Sequence, residues 1–354
     1  MFDGTVRHAR DAFEGLAVME PLVAVARGAD PESVGLPPLK KRIHKRSLLT
    51  VTEPDAMPAR SDVVADNPVP VPPFWGTRIV KGIALAEYST FLDERATFMG
   101  KWGLKPSRGG DGKSYQHLVD TEGRPRLRYW LDRILAEGIL DASVAYGYFP
   151  APSEGNDLVV LHHGDDPSGV LGVAGLPAPD GGSGGTVDSE RLRFVFPRQR
   201  RDRHLCLADF VRPRESGQTD VVALQLVTAG ANVDTVTAKL FAENKYRDYM
   251  ELNGLTMQLT EALAEYWHSR VREELGLGAE DPVELAGMFK LEYRGTLFSL
   301  GYPACPEMED RHTVVELLRP KRMGVVLSEE LQLHPEQSTD AFVFHHPEGK
   351  YFSV

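Results

Sequence analysis

The chain has 354 residues and 42% hydrophobic content, enough for one large domain or two with a sizeable buried core. A formal net charge of −11 argues against a general nucleic-acid binder, because neutralising phosphates needs a basic surface. Two cysteines, Cys206 and Cys305, cannot build a disulfide framework, no signal-peptide pattern opens the chain and no apolar run is long enough to span a membrane; a soluble, cytoplasmic protein with no membrane partner is expected.

From Thr5 to about Arg27, Phe13, Leu16 and Ala17 recur at helical intervals, but Glu20 shares their face and Pro21 interrupts the backbone bonding before Leu22, Val25 and Ala26. The pattern predicts a broken pair of short helices within an N-terminal segment, 1–28. Residues 29–73 are proline-rich and irregular and read as a linker. Its basic run over 40–46 is a solvated charge cluster or, as a minor alternative, a docking site for an acidic partner. The domain proper is expected over 74–354. It starts with a strand over 78–83 and helices over 85–102 and 126–137. Strands follow over 142–149, 158–161, 192–196 and 221–227, helices dominate 234–275, and a helix over 313–318 leads to strands over 324–327 and 341–345. The expected class is α+β: a mixed, largely antiparallel twisted sheet with flanking helices. Two glycine-rich pieces, 109–113 and 181–185, have neither the spacing of a dinucleotide fingerprint nor the context of a phosphate loop, so neither is a nucleotide site.

On the helical stretch, Leu255, Leu259, Ala262 and Tyr266 form a core-facing stripe, while Glu261, Glu265, His268 and Arg272 form a polar one. The plain reading of the second stripe is a solvated, salt-bridged face. The run over 293–306, YRGTLFSLGYPACP, combines aromatics, two glycines, two prolines and a cysteine. Gly301 permits close backbone approach, while Pro303 and Pro306 bias their predecessors toward extended conformations, so the run reads as a rigid turn presenting Tyr302.

The GYPACP run over 301–306 resembles the signature of the C-terminal activation domain of cobalamin-dependent methionine synthase, which binds S-adenosylmethionine. Ordered matches accompany it: PPFWGTRIVKGI (72–83), TEGRPRLRYWLDRIL (121–135), FPRQRRDRHLCLADF (196–210), LTEALAEYWHSRVREELG (259–276) and LSEELQLHPEQSTDAFVFHHPEGKYF (327–352). The resemblance covers about 68–354 and implies a set of ligand contacts. An early acid falls on Asp93, with Glu94 adjacent, and a helix glutamate falls on Glu261. The turn contributes Leu300, Gly301 and Tyr302, and a paired aromatic position falls on Tyr351 and Phe352. The family arginine that pairs the methionyl carboxylate falls on Leu297; Arg294 lies three residues too early, although a long side chain could reach.

The resemblance implies a reactivation module, part of a cobalamin-dependent methyltransferase but without a homocysteine site of its own. Its methyl donor is S-adenosylmethionine, and cobalamin is held by a separate domain or chain. Its partners are that cobalamin-binding domain and a flavodoxin-type or ferredoxin-type reductase. The string over 202–207, DRHLCL, ends in leucine where a cobalamin motif has glycine, and two isolated cysteines supply no zinc site. The alternative function is a non-catalytic docking module that caps a cobalamin domain or recruits a reductase, with Leu297 as its main support.

Overall fold

A computed structural model describes residues 12–30, 33–34, 57–106, 114–163 and 189–354. The basic run and both glycine-rich pieces lie outside them. The scaffold is a five-stranded sheet in which Gly76–Lys81, Ser143–Ala151, Asp220–Thr228, Ser338–Phe344 and Thr296–Phe298 run side by side in that order. Every pairing in it is antiparallel, so the sheet is not mixed as expected.

The two central strands are buried along their whole length because both faces are covered. Their period-2 alternation divides the interior. Val144, Tyr146, Tyr148, Val221, Ala223 and Val227 join a first core under the helices, whereas Ala145, Phe149, Val222, Leu224 and Leu226 join a second core on the opposite face. The first core is filled by the helix Arg124–Glu137, through Trp130 and Ile134, and by the long helix Tyr246–Glu274, through Leu252, Leu255, Leu259 and Leu263. Gln225 ties the sheet to the long helix by donating to the Ala264 carbonyl at 2.8 Å.

Glycine and αL residues set where the helices stop. Gly138 at φ 59° ends Arg124–Glu137, and Asn244 at φ 60° splits the helical region 234–275 into Asn232–Ala242 and Tyr246–Glu274. The helix expected over 85–102 is broken for a different reason. Leu92 turns extended, and the Asp93 carboxylate then accepts the Ala96 N–H at 2.9 Å, capping a new turn over Ala96–Lys101. At the N-terminus, Pro21 lies inside one continuous helix, Ala12–Ala26, rather than separating two.

The second core is closed by a small sheet of Ser153–Glu154, Asp157–Leu161 and Glu190–Val195, by the helix Asp310–Leu318, and by a segment upstream of residue 74. That segment was expected to be linker. Val63 is buried in the second core, and the Arg60 guanidinium donates to the carbonyls of Asp209 and Val211. Val64 donates its N–H to Glu348 at 3.0 Å and accepts from His346 Nε2 at 2.8 Å, while Arg203 bridges Asp62 and Glu348. Residues 59–67 thus clasp the C-terminal segment. Beneath them Arg198 pairs with Asp209 through two bonds of 2.6 and 3.0 Å, both side chains being almost wholly excluded from solvent.

Candidate ligand-binding site

On the helix-covered side a cleft of about 220 Å³ opens beside the middle of the long helix. Gln258, Glu261 and Glu265 form its floor, since positions three and four apart share one helical face. Phe91 and Asp93 form one wall; Met288, Phe289 and Leu291 form the other. Asp93 is held there by its capping bond, which occupies one carboxylate oxygen and leaves the other exposed. Glu261 is partly open at the rim, yet the surrounding walls push its carboxyl pKa up; repulsion from Glu265 adds to this and Lys101 opposes it. The described residues lining this cleft include three acids and no cation.

The 301–306 turn lies next to this side. Gly301, at φ 89°, donates its N–H to the Cys305 carbonyl at 3.0 Å, and Cys305 returns a bond to the Tyr302 carbonyl at 2.9 Å. Cys305 is buried under the turn, where desolvation raises its thiol pKa to about 12, so it anchors and does not react. Tyr302 stands out from the turn, about half exposed, with its ring edge-on to Tyr351 at 6.4 Å. Its phenol pKa is raised, first by burial, then by Glu261 and Tyr351, which ties the turn to the acidic floor electrostatically. Tyr351, also about half exposed, stacks on Phe298 at 5.8 Å.

The sequence-derived contacts therefore separate into two groups. Asp93 and Glu261 meet in the cleft, with Tyr302 and Tyr351 beside it. The side chains of Leu300 and Phe352 instead turn into the second core, Phe352 against Phe210 and Phe298, so neither offers its side chain to a ligand. Leu297 is half-buried, paired with Val343 and packed on the first core. Arg294 does not stand in for the missing guanidinium: it donates to the His345 carbonyl at 3.0 Å and to Glu280 at 3.1 Å.

The polar stripe of the long helix is not a solvated face throughout. His268 and Arg272 are buried under residues 281–293, with Arg272 bidentate to Asp281 at 2.8 Å for each bond and lying over the Tyr293 ring at 4.1 Å. The wall residues Met288, Phe289 and Leu291 belong to the same segment. No periodicity announces them as a wall, although the exposed side chains of Val283, Leu285, Phe289 and Leu291 mark an uncovered apolar surface there.

Residues 127–354 match the family model described as vitamin B12 dependent methionine synthase, activation domain. The chain belongs to this activation-domain family. Across its whole length it is 52% identical to a methionine synthase of Mycobacterium tuberculosis and 50% identical to one of Mycobacterium leprae, spanning 30% of the length of each. A crystal structure of the MetH reactivation domain bound to AdoHcy is 25% identical, with a TM-score of 0.66 over 80% of this chain and 83% of that one. The activation-domain fold thus accounts for the antiparallel sheet and its helical cover. No group of His, Cys, Asp and Glu able to hold a metal occurs among the described residues, and none of their helices is long and apolar enough to cross a membrane. The His204 of the DRHLCL string sits in a turn whose carbonyl accepts from Arg198, a structural position in the second core's seal.

Proposed function

We propose that this activation domain binds S-adenosylmethionine in the acidic cleft and presents its methyl group to a cobalamin held by a separate domain or chain. The observation that carries the reading is the donor set: three carboxylates without a cation, flanked by Phe91, Phe289, Tyr302 and Tyr351. S-adenosylmethionine offers a sulfonium and an ammonium to the acids and a flat adenine to the aromatic faces. The related reactivation domain, crystallised with AdoHcy, carries the matching nucleoside.

In this reading Asp93 and Glu261 neutralise the ligand's positive groups, and Tyr302 and Tyr351 confine the nucleoside. The rigid turn around Gly301 holds its backbone close to the ligand. When docked, the cobalamin would supply the nucleophile; the chain's own task is to orient the sulfonium methyl and exclude water, so it needs no general base. Cobalamin itself has no place in the described residues, which lack its ligand motif. The partners we propose are the cobalamin-binding domain and a flavodoxin-type or ferredoxin-type reductase in the cytoplasm, within methionine biosynthesis. Leu297 and the engaged Arg294 favour a second reading, a docking module with weak or no ligand binding. Equilibrium titration of the chain with S-adenosylmethionine decides between them: saturable heat supports the first, and its absence at millimolar ligand supports the second.

A further inference from the structure

The long helix brings a second acid into the cleft one turn beyond Glu261. Glu265 lines the same floor, half-buried, and its charge contributes to raising the Glu261 pKa. Two carboxylates stacked at i and i+4 repel each other, and the one cation that opposes this at Glu261, Lys101, lies outside the cleft lining. Behind Glu265 lies His268, whose side chain is wholly buried and whose two ring nitrogens have no hydrogen-bond partner. Its Nδ1 is 3.7 Å from a Glu265 oxygen. Its other charged neighbours, Arg272 and Asp281, are committed to each other, while the Tyr293 ring meets His268 edge-on at 5.1 Å. An orphaned buried imidazole is costly and calls for a reason.

We infer that Glu265 is a third ligand-binding carboxylate beside Asp93 and Glu261, directed at the sulfonium of the methyl donor, and that His268 is the residue that positions it. The inference rests on the reading that this cleft takes S-adenosylmethionine. A sulfonium has no N–H or O–H, so hydrogen-bond geometry cannot select it; a fixed negative charge in a partly desolvated wall can. S-adenosylhomocysteine is the same molecule without the methyl group and without that charge. With the donor bound, two positive groups face Asp93, Glu261 and Glu265. With the product bound, one positive group remains and the two helix carboxylates again repel, so product is held less tightly than donor. Closing of the His268 N–H onto Glu265 from 3.7 Å to bonding distance holds the carboxylate in place while adding no competing cation.

The test is calorimetric titration of the full chain and its variants with S-adenosylmethionine and S-adenosylhomocysteine in parallel. Glu265→Gln is expected to weaken the donor roughly tenfold and the product by less than about threefold, collapsing the preference between them. His268→Phe is expected to lose the same preference, and His268→Gln, which keeps a neutral donor, to restore part of it. A purely structural role would weaken both nucleosides alike. An unchanged preference in Glu265→Gln, or an equal loss for both ligands, overturns the inference. Should His268→Phe fail to fold, the partly open Glu265→Gln still decides. If the parent chain binds neither nucleoside, the reading of the cleft fails instead.

Discussion

Two acidic regions of this domain invite comparison, the sealed one around Asp209 and the open one around Glu261. In the sealed region Asp209 accepts two bonds from Arg198 and one each from the backbone N–H groups of Ser61 and Cys206. In the open region Glu261 and Glu265 share the cleft floor with no cation among its lining residues, and Lys101 acts on Glu261 only from outside them. The difference separates acids that hold a fold from acids free to meet a ligand, the role we propose for them. Buried charge is tolerated where every oxygen has a partner. Glu261 escapes that requirement because it stays open to solvent.

Breaking the sealed region should have the largest effect. Arg198→Met leaves Asp209 buried and uncompensated, which is expected to cost about 3–5 kcal/mol. For a domain of this size that corresponds to a fall of roughly 10 °C in thermal melts. Deletion of residues 1–70 comes next. It removes Val63 from the second core along with the Arg60 and Val64 bonds, at about 2–4 kcal/mol, whereas deletion of 1–56 leaves them and should shift the melt by no more than about 2 °C. An equal shift for both deletions would show that 59–67 contribute nothing, and would return the domain edge to residue 74.

In the open region, stability and binding should part company. Glu261→Gln is expected to leave the melting temperature unchanged while weakening S-adenosylmethionine by about 1.5–3 kcal/mol, read by calorimetry. Unchanged affinity in the folded variant would remove Glu261 from the site. Leu297→Arg should tighten S-adenosylmethionine and S-adenosylhomocysteine alike by roughly tenfold, since both carry the carboxylate, and leave a decarboxylated analogue unaffected. Equal behaviour of all three ligands would show that position 297 does not face the carboxylate.

The smallest expected effect is a pair of opposite pH dependences, read from denaturant titrations of His346→Gln and Glu261→Gln against the parent. His346 has a lowered pKa, chiefly from burial, so the unfolded chain binds its proton first. Its contribution is present above about 6.5 and is lost as pH falls from there toward the lowered value. Glu261 has a raised pKa, so the folded chain keeps its proton longer, and its contribution is lost as pH rises above 4.5 toward the raised value. The same sign in both variants would overturn one of these two pKa directions.

Much of this arrangement was legible in the sequence where a period recurs. The stripe of Leu255, Leu259 and Ala262 marks the buried face of the long helix, and the run over 221–227, apolar except for Gln225, marks a strand covered on both sides. The turn chemistry of Gly301 and Pro303 singles out Tyr302. Elsewhere the signal was silent for physical reasons. Asn244 at φ 60° breaks a helical region without a glycine or proline to announce it. Leu300 and Phe352 sit next to Gly301 and Tyr351 in the chain, but their side chains are packed into the second core. Glu251 looks like an ordinary helix acid, yet it is buried and accepts from Trp130 and Arg247. That role depends on residues 121 positions away in one case and one helical turn away in the other. The proline-rich composition of 57–73 suggested slack chain, whereas Arg60, Val63 and Val64 fasten it through partners far along the sequence.

The clasp between 62–64 and 346–348 also sets how this domain carries mechanical load. A pull on the chain arriving at residue 57 is resisted first by the Arg60 and Asp62 contacts and by the paired bonds at Val64. The Val64 bonds are anchored at Glu348 and His346, three and five residues ahead of Tyr351, whereas Arg60 is anchored on Asp209 and Val211. Tension entering there is therefore shared between the Asp209–Val211 stretch and the chain that leads to Tyr351.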